Sequence, residues 1–217
     1  MVAHGVQRDF VEEILVKRMG LKVKHEAYPW KRCQLLVKNG EKDGFFTVPT
    51  RERKYYTIMS SVPFYKTRFV MHTGRNNPNI EKLKSVTSIA DLERMPDLKH
   101  IHMRGSGWHI ENLKKMKHVD EITDATKIPL LLKLQRYDVY IEQEEMFRYQ
   151  AKELGILQDI VTFEKPTMNV VGWHIFIGKN SRYKSIIPQI NSMLSKLHES
   201  GELDKIKHEI FRKNGIE

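Results

Sequence analysis

NGEKDGFFTVPTRERKYYTIMSSVPFY, residues 39–65, combines a strand pattern with a group of cationic side chains. The run 44–48 is rich in the aromatic and β-branched residues that favour strands. Three polar residues follow it closely, namely Thr50, Arg51 and Arg53. Ligands of open α/β sheets bind beyond the carboxyl ends of the strands, so cations here are well placed to meet an anion. The alternative is that these charges belong to a solvated loop, because charge runs commonly face water.

The composition indicates a globular protein of one large or two small domains. The chain has 217 residues, 40% of them hydrophobic, which is sufficient for a core. Lysine and arginine number 37 against 27 acidic residues, and the resulting formal charge of +10 favours an anionic partner or surface. These positive charges are spread along the whole sequence, so nucleic acid is the least favoured class of partner.

The number of cysteines and the hydropathy of the sequence do not indicate a cellular compartment. Cys33 is the only cysteine, which excludes an internal disulfide, and its place on a predicted helix indicates a small packed residue. The sequence has no run approaching the ~18 consecutive apolar residues of a membrane-spanning helix. The first residues lack the apolar segment of a signal peptide.

Apolar periodicity predicts alternating helices and strands along the chain. Helices are predicted over about 7–19, 31–38, 125–135, 146–154, 186–198 and 203–211, with shorter ones after Ser88 and from Trp108. Strands are predicted over about 21–27, 44–48, 68–72, 100–103, 119–123, 138–141, 160–163 and 170–177. This order is typical of an α/β protein.

Two further places combine polar residues with a helix start. The turn at 105–107, Gly-Ser-Gly, leads into a predicted helix, and backbone N–H groups at a helix start attract anions. The predicted strand 138–141 is followed directly by four polar residues, 142–145, with the sequence EQEE. The helix dipole favours acids at a helix start, which explains part of this run but not the polar end of the strand. A glycine turn alone is a weak signal.

The histidines and the catalytic motifs give no support for an enzyme. His100 and His102 lie on one face of a predicted strand, with His109 nearby. A metal site needs three or four converging ligands, so we expect no metal site. The sequence has no Ser-His-Asp motif, phosphate-binding loop or dinucleotide fingerprint, and we expect no cofactor.

Seven segments, taken in order, carry a resemblance to a known family: GVQRDFVEEILVKRMGLKV, YPWKR, NGEKDGFFTVPTRER, SSVPFY, RGSG, YDVYIEQEEMFRYQAKELG and SGELDKI. Together they resemble the family 3 extracellular solute-binding proteins, the polar amino-acid receptors of ABC transporters. The resemblance covers essentially all of the chain. It implies the α/β type II periplasmic-binding-protein fold, with lobe 1 at 1–68 and 172–217 and lobe 2 at 69–171. Two crossovers, near 66–70 and 168–172, would let the lobes close like a hinge over a small ligand.

In lobe 1 the resemblance implies an anion anchor with an aromatic neighbour. Arg53 matches the arginine that binds a ligand carboxylate, with Thr50 beside it. Trp30 matches an aromatic residue that packs on the ligand. The spacing from Arg53 to Pro63 is about one residue longer than is usual in the family, so Arg51 remains the alternative anchor.

In lobe 2 the resemblance implies a second set of ligand contacts. Ser106 and Gly107 match the carboxylate-binding turn, and Trp108 stands next to it. Amino-acid receptors place an aspartate for the ligand ammonium at the position of Gln143, which is neutral. The resemblance therefore leaves an α-amino acid in doubt, unless Glu142 or Glu144 takes that role.

The beginning of the chain departs from the family pattern, as do the Arg53–Pro63 spacing and Gln143. Its members start with a signal peptide and a first strand, ahead of the segment that matches Ala3-His4-Gly5-Val6. We expect the sheet of lobe 1 to lack this strand, which leaves unpaired edges. The expected consequence is lowered stability or a strand-exchanged homodimer.

The resemblance implies a non-enzymatic, periplasmic or extracellular receptor that captures a small polar, carboxylate-bearing solute for an ABC transporter permease. Two alternatives stay open. A few relatives of this fold are dehydratases of small cyclic acids, and Glu142 would then be the catalytic acid. The same lobes also form ligand-sensing modules of signalling proteins.

Overall fold

The computed structural model describes residues 5–164 and 168–216, so Ala3 and His4 of the segment that would follow a first strand lie outside the described residues. The chain divides into two compact units. Unit 1 consists of Met1–Lys66 and Val171–Glu217, and unit 2 consists of Thr67–Val170. The two predicted lobes are defined as the parts of the protein that move during function. Their bounds stay a prediction.

Helices and strands alternate in both units. Among the described residues the α-helices are α1 (Val6–Val11, continued by a π-helix over Glu12–Arg18), α2 (Trp30–Lys38), α3 (Arg51–Tyr56), α4 (Ile80–Lys84), α5 (Ile89–Glu93), α6 (Gly107–Asn112), α7 (Ile128–Lys133), α8 (Glu144–Glu153), α9 (Ile187–Glu199) and α10 (Glu202–Lys213). The β-strands are β1 (Gly44–Thr47), β2 (Thr57–Met59), β3 (Tyr65–Gly74), β4 (Lys99–Met103), β5 (His118–Ile122), β6 (Tyr140–Gln143), β7 (Ile160–Phe163) and β8 (Asn169–Gly178). Short 3-10 helices cover Ala125–Lys127, Leu157–Asp159 and Lys184–Ile186.

Unit 1 is built on β8, with which both β1 and β2 pair antiparallel. A Cβ atom at Gly44, the first residue of β1, would lie 2.2 Å from the carbonyl oxygen of Phe176, so only glycine lets the two strands approach this closely. Aromatic rings fill the core, and Phe10 of α1 stacks on Tyr65 at a centroid distance of 4.5 Å. Phe46 of β1 belongs to the same cluster, with its ring centroid 6.4 Å from that of Phe10, so this packing holds the strand beyond which the predicted anion site begins.

Unit 2 contains a second set of strands. β3 pairs antiparallel with β6 and with β7, while β4 and β5 form a parallel pair that a bridge from His100 to Val139 links to the chain ahead of β6. The core lies between these strands and the helices α7 and α8, and its buried members are Ile101, Ile128, Leu132, Tyr140, Phe147, Ala151 and Ile160. β6 runs directly into α8, which positions the polar run predicted at 142–145.

The strand predicted at 21–27 is wrong. The structure has no strand anywhere in this segment. Val23, which the alternating pattern places on the buried face, is 36% exposed, and Lys24 forms a surface ion pair with Glu26 at 2.9 Å. A strand is stabilised by hydrogen bonds to a neighbouring strand. None of the described strands pairs with this segment, so the alternating pattern alone did not produce one.

The other predicted helices and strands are confirmed, with bounds that differ by up to three residues. β2, α3 and α4 were missed, because three, six and five residues are too few to show a period. None of the described helices has both the length and the apolar character needed to cross a membrane.

Candidate functional site

Arg53 lies in unit 1 at the carboxyl side of β1, on a helix rather than in a loop. The hydroxyl oxygen of Thr50 accepts a hydrogen bond from the backbone N–H of Arg53 at 3.4 Å and caps α3. The helix turns Arg53 inward, where it is 2% exposed, whereas Arg51 is exposed. A solvated charged loop is therefore the wrong description of Arg53.

Polar and aromatic contacts hold the Arg53 guanidinium. Its Nη1 donates to the carbonyl oxygen of Val48 at 2.6 Å, and its Nε donates to Oε1 of Gln34 at 3.2 Å. The guanidinium carbon lies 5.0 Å from the ring centroid of Trp30. A buried charge is costly unless it is satisfied in this way. The same contacts fix the direction of the planar fork, so little side-chain freedom would be lost when an anion binds.

Trp30 is the first residue of α2 and is half-buried. Its ring meets Phe45 edge-on at 5.4 Å and packs against the buried cluster of Val37, Phe45 and Phe176. The position over the ring is favourable for a cation. The structure thus brings together two residues that the sequence analysis named separately, Trp30 and Arg53.

Cys33 lies on the same helix, one turn beyond Trp30. It is partly buried, and its thiol donates a hydrogen bond to the carbonyl oxygen of Tyr28 at 3.3 Å. Burial raises the pKa of this thiol above its usual value. These features agree with the predicted packing role and not with a reactive thiolate.

In unit 2, Ser106 and Gly107 begin α6 as predicted. The Ser106 hydroxyl lies 2.7 Å from Nδ1 of His109, whose Nε2 lies 2.5 Å from the carbonyl oxygen of Ile141. Because a carbonyl oxygen only accepts, Nε2 carries the hydrogen, and Nδ1 then accepts from Ser106. Burial lowers the pKa of His109 to about 3, so the ring is neutral. The hydrogen bond to the neutral ring of His109 therefore orients the Ser106 hydroxyl.

Trp108 is part of the core of unit 2. The side chain is 5% exposed and stacks face to face on Phe69, with ring centroids 4.2 Å apart. Its indole N–H is buried with no hydrogen-bond partner among the described residues. Packing explains the position of this ring, and its predicted ligand contact stays a prediction.

Glu142 and Gln143 end β6, and each is 7% exposed. The Tyr140 hydroxyl donates to Oε2 of Glu142 at 2.5 Å, and the backbone N–H of Gln143 donates to Oε1 at 2.8 Å. Burial raises the pKa of Glu142 although both bonds act in the opposite direction. The Glu142 carboxyl is thus turned back onto its own strand.

The next two acids are also bonded inside unit 2. Glu144 forms an ion pair with Arg68, and Glu145 accepts a hydrogen bond from the Thr67 hydroxyl. Both partners lie on β3. The run 142–145 therefore stabilises the junction between β3, β6 and α8.

Next to this junction lies a buried cluster of rings that the sequence did not predict. His109 stacks on Tyr140 with centroids 5.7 Å apart, and His72 stacks on Phe147 at 3.9 Å. Burial lowers the pKa of His72 to about 3. The available signal was a histidine at an inward position of the apolar strand 68–72.

Within the described part of the chain, the structure has no group of three or more histidine, cysteine or acidic residues that could hold a metal ion.

Solved structures show the same fold along almost the whole chain. A substrate-binding protein of an amino acid ABC transporter aligns with a TM-score of 0.74 and 20% identity, over 96% of this chain and 88% of that one. An amino acid ABC transporter substrate-binding protein from Streptococcus pneumoniae, bound to L-arginine, aligns with 0.69 and 20%, over 98% and 83%. An ancestral amino-acid-binding protein, a precursor of cyclohexadienyl dehydratase, aligns with 0.71 and 19%, over 95% and 85%. At these identities the likeness shows the fold alone, and it confirms the predicted α/β periplasmic-binding-protein fold.

The family follows from the sequence itself. No curated protein sequence matches this chain significantly. The model of one family matches residues 2–213, which is nearly the full length. This chain belongs to the bacterial extracellular solute-binding proteins, family 3.

Proposed function

We propose that this protein captures a small, polar, carboxylate-bearing solute and presents it to the permease of an ABC transporter. Family membership supports the binding of a solute. The similar structures of amino acid ABC transporter substrate-binding proteins support the transport role. The protein would act in the periplasm or outside the cell, as expected for an extracellular solute-binding protein.

The observation that carries the proposal is the buried and oriented guanidinium of Arg53. Arginine recognises a carboxylate through two parallel N–H donors in a fixed fork, and the interaction gains strength when water is excluded. Arg53 is 2% exposed, and its direction is set by Val48 and by the face of Trp30. Arg51 is exposed, so its charge stays in contact with water.

Arg53 is the proposed anchor of the ligand carboxylate. Arg53→Ala should weaken binding of the tightest carboxylate in a thermal-shift panel of amino, hydroxy and dicarboxylic acids by about 2–5 kcal/mol, because one partner of a desolvated charge pair is removed. Arg53→Lys keeps the charge but loses the fork, so it should recover only part of the affinity. Titration calorimetry measures all variants.

Arg136→Ala is the matched control, since Arg136 is an exposed arginine of unit 2, outside the predicted site. It should leave the affinity unchanged. Arg51→Ala tests the alternative anchor and should have the smaller effect of the two site variants. Full affinity in the double variant Arg51→Ala/Arg53→Ala would remove the support for this site.

A further inference from the structure

We propose that Gln34 and Trp30 are positioning residues for Arg53. They hold the guanidinium with uncharged groups, so that its direction is fixed while its positive charge is kept for an anion. This inference rests on the proposed function and concerns residues of unit 1 alone. Gln34 was not among the residues predicted for the site, and Trp30 was predicted to contact the ligand directly.

The groups that contact the guanidinium are a carbonyl, an amide and an aromatic ring. They belong to Val48, Gln34 and Trp30, at the 2.6 Å, 3.2 Å and 5.0 Å given above. None of these three groups carries a formal charge. A carboxylate in the place of the Gln34 amide would form an ion pair with Arg53 and offset part of its charge before any ligand arrived. The amide orients the guanidinium without that effect.

α2 presents both positioning side chains on one face. Trp30 and Gln34 are four residues apart, which is the spacing of neighbouring side chains on a helix. Gln34 is half-buried, and its amide oxygen accepts a hydrogen bond from Nε of Arg53, a side chain that is 2% exposed. A buried donor without an acceptor is costly. Gln34 therefore satisfies a donor that water barely reaches.

Trp30 is itself held by the core of unit 1. Its ring meets Phe45 edge-on at 5.4 Å and packs against the cluster that contains Val37 and Phe176. The guanidinium of Arg53 lies over the ring, where the π electrons attract a cation and leave its formal charge intact. We infer that Trp30 acts on the ligand through Arg53.

The first experiment needs no ligand. Gln34→Glu replaces the amide with a carboxylate of the same length, and the stronger charge-assisted bond to Arg53 should raise the urea midpoint of the protein. Gln34→Met has a similar length but no oxygen, so the midpoint should fall. Gln135→Glu makes the same change at an exposed position of unit 2 and should show no such rise.

The same measurement in an Arg53→Ala background shows whether Gln34 acts through Arg53. The gain from Gln34→Glu should disappear there, because the new carboxylate has lost its partner. A gain that persists without Arg53, or no gain in either background, overturns the positioning role of Gln34.

Binding provides the second experiment, with L-alanine, L-lactate, L-phenylalanine, phenyllactate and L-malate as probes in titration calorimetry. Gln34→Glu should weaken the tightest of these by at least tenfold, about 1.4 kcal/mol, although it stabilises the fold. A residue with a merely structural role would not lower affinity while it raises stability. Unchanged or tighter binding in Gln34→Glu overturns the inference and leaves the carboxylate-binding function standing. If the unmodified protein binds none of the probes, the proposed function is overturned, and the urea midpoints still decide whether Gln34 holds Arg53.

Trp30 is tested with probes of different size. Trp30→Leu should weaken L-alanine and L-phenylalanine by one common factor, and likewise L-lactate and phenyllactate, because the effect passes through the shared carboxylate. Trp30→Phe keeps an aromatic face and should recover most of the affinity. A clearly larger loss for the two phenyl compounds would show that the ring packs on the ligand itself, and would overturn the positioning role of Trp30.

Discussion

Glu142 is a carboxyl group with two hydrogen bonds and almost no contact with water. Burial raises its pKa in the folded protein above that in the unfolded chain. As the pH rises between those two values, the unfolded chain releases this proton first, and folding loses stability. A single side chain thus makes the protein less stable toward alkaline pH while it holds Tyr140 and the start of α8 in place.

Glu142→Gln should remove this loss, because a glutamine keeps an oxygen for the backbone of Gln143 and never ionises. We expect the variant to gain stability relative to the unmodified protein as the pH is raised from 5 to 8, measured by urea denaturation. Glu153→Gln, at an exposed position of α8, should show no such trend. A relative gain that shrinks with rising pH would contradict the raised pKa of the buried carboxyl group. If Glu142 were instead the acid of a dehydratase, the same variant would lose turnover.

The resemblance named Arg53 as the anchor with Arg51 as the alternative, but the sequence did not describe the surroundings of either side chain. Arg51 and Arg53 are two residues apart in the same charged run, yet the first is exposed and the second buried. The difference arises from the helix that Thr50 caps and from contact with Trp30, which is 23 positions away in the chain. Periodicity within a short run carries no information about a partner so distant.

At the level of elements, helix ends and strand pairs depend on different kinds of information. The cap of α3 is local, since Thr50 and the N–H that it accepts are three residues apart. The segment 21–27 has an alternating pattern as regular as that of a strand and nevertheless forms none. A cap depends on residues close together in the chain, although this one was not predicted. A strand also requires a paired neighbour, and an alternating pattern does not indicate whether one exists.

Thr50→Ala tests the cap. It should lower the free energy of unfolding by about 1 kcal/mol, because a backbone N–H at the start of α3 loses its acceptor. Thr50→Ser keeps the hydroxyl and should restore most of that stability. Urea denaturation at neutral pH measures both variants. Equal destabilisation by alanine and serine would show that the Thr50 methyl group matters and not the hydrogen bond.

At the level of the whole molecule, unit 2 buries three histidines in the neutral form. Burial lowers the pKa of His72 and His109 to about 3 and that of His100 to about 4. In the unfolded chain a histidine titrates near 6.5, so the unfolded state takes up protons first as the pH falls. Stability should therefore decline from about pH 6.5 toward the folded-state values, by about 2 kcal/mol for each histidine at pH 5.

Acid unfolding followed by circular dichroism measures this decline. His72→Gln should move the acid midpoint to lower pH, because one proton fewer is taken up on unfolding. His118→Gln, at an exposed site in β5, should leave the midpoint where it is. Glu142 acts in the opposite direction, so the comparison of the two histidine variants isolates the histidine contribution. Equal midpoints in both variants would contradict a neutral, buried His72.

The single thiol of Cys33 makes the protein suitable for site-specific labelling. A fluorophore can attach at one position only, one helical turn from the ring that packs against Arg53. Since burial raises the thiol pKa, coupling should be slow at neutral pH and faster in mild alkali. An emission change of the attached dye would then report occupancy of the proposed site beside Arg53 in real time, without mutation of any other residue.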